Sequence, residues 1–95
     1  MNVRFSPSAQ ADIQSIHDHI AADNPVAAAR VVATIEQSID RLERFPFSGR
    51  TGAVDRTREL VIPHLPYIVV YTVSVETVDI IAVFHAAQNN PRGFG

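Results

Sequence analysis

All eight basic residues of the chain are arginine, and five of them, Arg41, Arg44, Arg50, Arg56 and Arg58, share one central stretch. A guanidinium presents a planar fork of donors that matches carboxylate and phosphate oxygens, so this stretch is the first candidate for an anionic partner. Arg41 and Arg44 have a structural use at a helix C-terminus, whereas Arg50, Arg56 and Arg58 fall in a loop and at a strand start and carry the binding reading. Glu59 follows directly and reads either as an ion-pair partner of Arg56 or Arg58 or as a general base. His85 closes an apolar run and opens onto a polar tail; it is either a hydrogen-bonded strand-end residue or a proton-transfer group. His17 and His19 stand two apart on a helix and face different sides, and His64 lies in a Pro-flanked turn, so no metal site is expected. There is no G-x-S-x-G, and Gly49-Arg50-Thr51-Gly52 falls far short of a phosphate-binding loop, so no cofactor is expected either.

The elements that would position these residues are legible from their punctuation. Val3 to Phe5 alternates and reads as a short strand, ended by Ser6-Pro7, a good cap followed by a proline suited to the first helical turn. Ala9, Ile13, Ile16 and Ile20 then form one stripe, giving a helix from Pro7 to Ala22. Asn24-Pro25 repeats the start signal, and Ala28, Val32, Ile35, Ile39 and Leu42 carry a second helix to about Phe45, before Pro46. Asp40 and Arg44 lie four apart on its outer face. Residues 46 to 56 hold Pro46, Ser48, Gly49 and Gly52 and read as a loop. Three strand-like runs follow, Arg58 to Ile62, Tyr67 to Val73 and Val78 to Phe84, joined by connections too short for anything but antiparallel hairpins. The expected architecture is α+β: an N-terminal strand and a helical hairpin packed on a small antiparallel sheet, in the order β-α-α-β-β-β. One domain is expected over residues 1 to 95, with 88 to 95 a mobile tail.

The last two strands are apolar on both faces. Tyr67, Val69, Tyr71 and Val73 oppose Ile68, Val70 and Thr72, and Ile80, Ala82 and Phe84 oppose Ile81 and Val83. Two helices shelter only one face, so the other should be covered by sheet curvature, by the tail or by a second protein.

The chain has 95 residues, 46% of them hydrophobic and 19% charged, with a formal net charge of −2 and no cysteine. That composition supports one packed core, excludes a disulfide framework, and argues against coating nucleic acid by bulk charge. No apolar run approaches the ~20 residues of a membrane span, so a cytoplasmic protein with no membrane partner is expected.

Several short stretches together resemble the RelE/ParE superfamily of toxins from bacterial type II toxin–antitoxin systems. They are Ala-Asp-Ile in the first helix, Asp23-Asn24-Pro25 with Ala-Ala-Arg after it, Arg44-Phe45-Pro46, Gly49-Arg50, Thr57-Arg58-Glu59-Leu60, Pro66-Tyr67, Val70-Tyr71 and Val83-Phe84-His85-Ala86. The resemblance implies a small toxin held inactive by a cognate ParD- or RelB-like antitoxin. RelE-like members cleave mRNA on the ribosome, which here would enlist His85 as acid, Arg58 or Arg50 on the phosphate, and Glu59. ParE-like members act on DNA gyrase. Cleaving members place an arginine just before the Val-Tyr pair of the middle strand, where this chain has Tyr67-Ile68-Val69. The expectation is therefore ParE-like, with Arg50, Arg56, Arg58, Arg92 and Phe94 contacting a protein target.

Overall fold

The computed structural model describes residues 1–87. Elements follow in the order β1 (Asn2–Phe5), α1 (Pro7–Ala21), α2 (Pro25–Asp40), a 3-10 turn (Arg41–Glu43), β2 (Arg50–Thr51), β3 (Arg58–Val61), β4 (Tyr67–Val73) and β5 (Thr77–His85). Both helices start where the caps direct. The Ser6 hydroxyl accepts from the Ala9 N–H and the Asn24 side chain from the Ala27 N–H, each at 3.0 Å. Each cap satisfies one of the amides that a first helical turn leaves without an intrahelical partner. The second helix stops at Asp40 rather than Phe45, because the chain tightens into the 3-10 turn one residue later. Asp40 and Arg44, now on different elements, form no ion pair among the described residues.

The five strands form one sheet in the order β1-β5-β4-β3-β2. β2–β3, β3–β4 and β4–β5 are antiparallel, as their short connections require, while β1 runs parallel to β5. The sheet is therefore mixed. Both helices and the rest of the sheet lie between β1 and β5 in the chain, a path long enough for a parallel return. β2 is only two residues long and sits inside what reads as loop; no run of two residues carries a periodicity that announces a strand.

The helices cover one face of the sheet. Ile35, Ile39 and Leu42 pack with Val69, Tyr71, Val78 and Ile80, all fully buried, and β1 adds Val3 and Phe5 at the margin. Pairing across β4–β5 steps from Val70↔Ala82 to Tyr71↔Ile80, so Ile81 is an extra residue. This bulge resets the alternation: Val78 and Ile80 share the helix-side face with Val83, instead of opposing it as strict alternation requires. The Ser6 hydroxyl donates to the Ile81 carbonyl at 2.9 Å, and Asp12 accepts from the Val83 N–H at 2.9 Å. Beyond the end of β1, these two side chains take the place of a neighbouring strand.

The far face does not stand open as its apolar residues suggest. Ile68, Val70 and Ala82 are 8%, 1% and 3% exposed in the single chain. In register, Val70 lies between Ala82 and Glu59, and Glu59 in turn is paired to Arg50 on β2, so the short β2 extends cover past the apolar centre. Exposed apolar surface remains at the rim of this face, where Val61 pairs with Ile68, and at Phe45 and Phe47 among other positions.

Candidate functional site

Gly49 organises the arginine-bearing segment. Its N–H donates to the buried Tyr71 hydroxyl at 2.8 Å, and its carbonyl accepts from Arg58 Nη1 at 2.8 Å. A Cβ at this position would lie 2.5 Å from the Tyr71 hydroxyl and 2.8 Å from the Glu59 carbonyl, so only glycine lets the backbone come this close. Arg58 shares the helix-side face with its cross-strand partner Tyr71, and its guanidinium carbon stands 5.0 Å from the centre of the Phe47 ring. Arg58 therefore fastens the 47–49 segment to the sheet through charge-assisted hydrogen bonding and a cation–π contact.

Arg50 and Glu59 face each other across β2 and β3 on the far face. Arg50 donates to Glu59 Oε1 through Nε at 3.1 Å and through Nη2 at 2.9 Å. The Ala53 N–H approaches the other carboxylate oxygen at 3.4 Å. The partner of Glu59 is therefore Arg50 and neither Arg56 nor Arg58. Sequence neighbours on a strand point to opposite faces, so Arg58 projects away from the Glu59 carboxylate, which Arg50 meets directly from across the strand pair. Arg56 sits at φ 68°, third in the turn Val54–Thr57 that the Thr57 N–H closes onto the Val54 carbonyl at 3.1 Å. It forms no ion pair among the described residues and projects as an exposed cation.

His85 lies on the other side of the molecule's sheet. Its pairing partner is Tyr67, whose ring it meets edge-on at a centroid distance of 5.5 Å. Its Nδ1 accepts from the Ala87 N–H at 3.0 Å, so the neutral imidazole carries its proton on Nε2. Together with Asp12, Ser15 and His19 of α1, it lines a concavity of about 370 Å³. His17 instead borders a separate groove with Phe5, Ile13 and Glu36, as the helical spacing of the two histidines requires. Among the described residues, no group of three His, Cys, Asp or Glu side chains could hold a metal ion.

These placements decide what the candidate residues can do together. Glu59 pairs with Val70 and His85 with Tyr67, and Val70 and Tyr67 are three apart on one strand. Glu59 and His85 are therefore on opposite faces, and Arg58 faces away from Glu59. Among the described residues, these candidates for general base, cation and acid do not converge on one reacting phosphate. The signal that would have separated them is the hairpin register, which single residues do not reveal. Arg92 and Phe94 lie outside the described residues.

Residues 3–90 match the family model described as the ParE toxin of the type II toxin–antitoxin system, parDE. The chain belongs to the ParE toxin family. This ParE-family chain is 42% identical over 90 residues to Y4kP of Sinorhizobium fredii, a match covering 95% of this chain and 93% of that protein. It is 32% identical over 80 residues to Toxin RelE2 of Caulobacter vibrioides, covering 84% and 89% of the two. Its fold matches a chain from the chromosomal ParDE toxin–antitoxin system of P. aeruginosa with a TM-score of 0.81, covering 90% of this chain and 95% of that one at 23% identity. The two chains share this α+β fold. No helix among the described residues of this ParE-family toxin is long and apolar enough to cross a membrane.

Proposed function

We propose that this ParE-family toxin arrests growth by binding DNA gyrase, without catalysing a reaction itself, and that a ParD-like antitoxin neutralises it in the cytoplasm. The observation that carries this reading is the separation of Glu59 from His85 onto opposite faces, with Glu59 held by Arg50 and Arg58 committed to the Gly49 carbonyl. A nuclease needs proton transfer and phosphate charge stabilisation focused within hydrogen-bond reach of one another, and these side chains are spread over two surfaces. The absence of a basic residue in Tyr67-Ile68-Val69 supports the same choice. Target contact then falls to Arg56, exposed on its turn, and Arg56, Arg92 and Phe94 are the residues to substitute first.

The deciding measurement is made on purified chain free of antitoxin. Supercoiling by gyrase should fall with added toxin while translation of a reporter mRNA continues. Intact supercoiling together with cleaved mRNA would reverse the assignment. A ribosome-dependent endonuclease is the second reading, favoured by the 32% identity to Toxin RelE2. Under it, His85→Ala abolishes growth arrest while folding and antitoxin binding persist; undiminished arrest by that variant removes the endonuclease from consideration.

A further inference from the structure

Arg56 is held out by its own turn. Residues 52–57 join β2 to β3 as a hairpin loop, and Thr57 ties that loop from within. Its N–H donates to the Val54 carbonyl at 3.1 Å, and its carbonyl accepts from the Gly52 N–H at 2.8 Å. Its buried hydroxyl donates to the same Val54 carbonyl. A Cβ on Gly52 would collide with the Thr57 hydroxyl, so the loop closes here only through glycine. At the base, Arg50 and the Ala53 N–H both approach the Glu59 carboxylate. The loop is therefore pinned along both arms while its tip stands out: Val54 is 38% exposed, and Asp55 and Arg56 are exposed. Neither charged residue forms an ion pair among the described residues. Arg56 also occupies a conformation that its side chain opposes. At φ 68° it takes the third place of a turn where glycine or asparagine relieves the crowding of Cβ against the backbone. Stability alone selects against arginine there, and a residue kept against the preference of its backbone points to a use for its side chain.

We propose that Val54-Asp55-Arg56 is a preset contact arm for the folded protein on which this toxin acts, with Thr57 and Gly52 as positioning residues for Arg56. Arg56 donates its fork to a carboxylate of that surface, Asp55 accepts from a basic side chain, and Val54 packs on apolar surface between them. Charge selects the occupant. A phosphate backbone would set a row of anions against Asp55 as well as Arg56, on a chain whose formal net charge is −2, whereas a protein surface can offer each residue its opposite. Pinning the loop before contact spares the ordering cost that a slack loop would meet on binding. The inference rests on the proposed function in taking the target to be a protein.

The test uses the full chain, with potency read as the amount of induced toxin that halves the growth rate. Arg56→Gly should keep or raise the thermal midpoint yet require at least about tenfold more toxin, as the loss of one well-placed anchor does. Thr57→Val keeps the backbone bonds of the turn and removes the hydroxyl. It should weaken arrest in the parent but not in the Arg56→Gly background, a dependence that a merely structural role would not produce. Asp55→Lys should weaken arrest as well. Undiminished arrest by Arg56→Gly, loss of arrest matched by loss of stability, or an equal Thr57→Val loss in both backgrounds each overturns the proposal. So does stronger arrest by Asp55→Lys, or Arg56-dependent binding of a labelled DNA or RNA oligonucleotide, either of which makes a nucleic acid the occupant. A parent chain that does not arrest growth leaves the arm without a target and overturns it too. Inhibition of purified gyrase is read separately: arrest that follows these variants while supercoiling continues would remove gyrase and keep the arm.

Discussion

The Gly49 amide donates to the hydroxyl of Tyr71, 22 positions further along the chain, at 2.8 Å. This contact joins the loop that follows the helices to the middle strand of the sheet, and the Arg58 bond to the Gly49 carbonyl closes it from the other side. Tyr71→Phe leaves a buried N–H without an acceptor and should cost about 1–3 kcal/mol. Gly49→Ala pushes a methyl into the same hydroxyl and should cost about as much, by overpacking. Urea unfolding of both single variants and of the double variant should show sub-additive losses, because both changes break one contact. Strictly additive losses would mean that the two residues act independently.

Arg58→Lys keeps the charge but loses the planar fork that reaches the Gly49 carbonyl and lies over Phe47. Thermal unfolding should start earlier by the equivalent of about 1–2 kcal/mol. Retained stability would show that a point charge suffices and that the guanidinium plane contributes nothing.

His64 occupies φ 65°, following Pro63 in the turn that the Leu65 N–H closes on the Ile62 carbonyl. A left-handed residue at this place is ordinarily glycine or asparagine. His64→Gly should leave stability unchanged or raise it, whereas His64→Val should cost about 1–2 kcal/mol, since branching at Cβ opposes that conformation. Calorimetry that ranks valine level with glycine would contradict the turn geometry.

Arg4 Nε donates to Asp79 Oδ1 at 2.7 Å across the parallel pair β1–β5. This hydrogen bond, and after it the charge of Arg4, holds the Asp79 carboxyl below its ordinary value. The unfolded chain thus takes up this proton at higher pH than the folded one. The stabilisation is complete above about pH 5, near and above the ordinary aspartate range, and is lost as pH falls through the lowered folded value. Asp79→Asn should therefore lower stability slightly at pH 7, by less than about 1 kcal/mol for so accessible a pair. The same variant should flatten the loss of stability on acidification. Parallel stability–pH curves for the two proteins would sink this assignment.

Local chemistry determined the element order. Ser6-Pro7 and Asn24-Pro25 start helices wherever they meet an apolar stripe, and the brief turns after β3 and β4 leave no alternative to hairpins. The family resemblance was equally available from linear order, because its motifs are short and sequential. The direction of β1, the extra residue Ile81 and the two-residue β2 depend on pairing between distant segments, so tertiary structure alone decided them. The same holds for the site. Arg50, Arg58, Glu59 and His85 stand out by type, but strand register sorts them to opposite faces, giving Glu59 to Arg50 and Arg58 to Gly49. A shift of one residue in register exchanges the faces of every side chain on a strand, and that register is fixed by packing of the whole sheet against the helices.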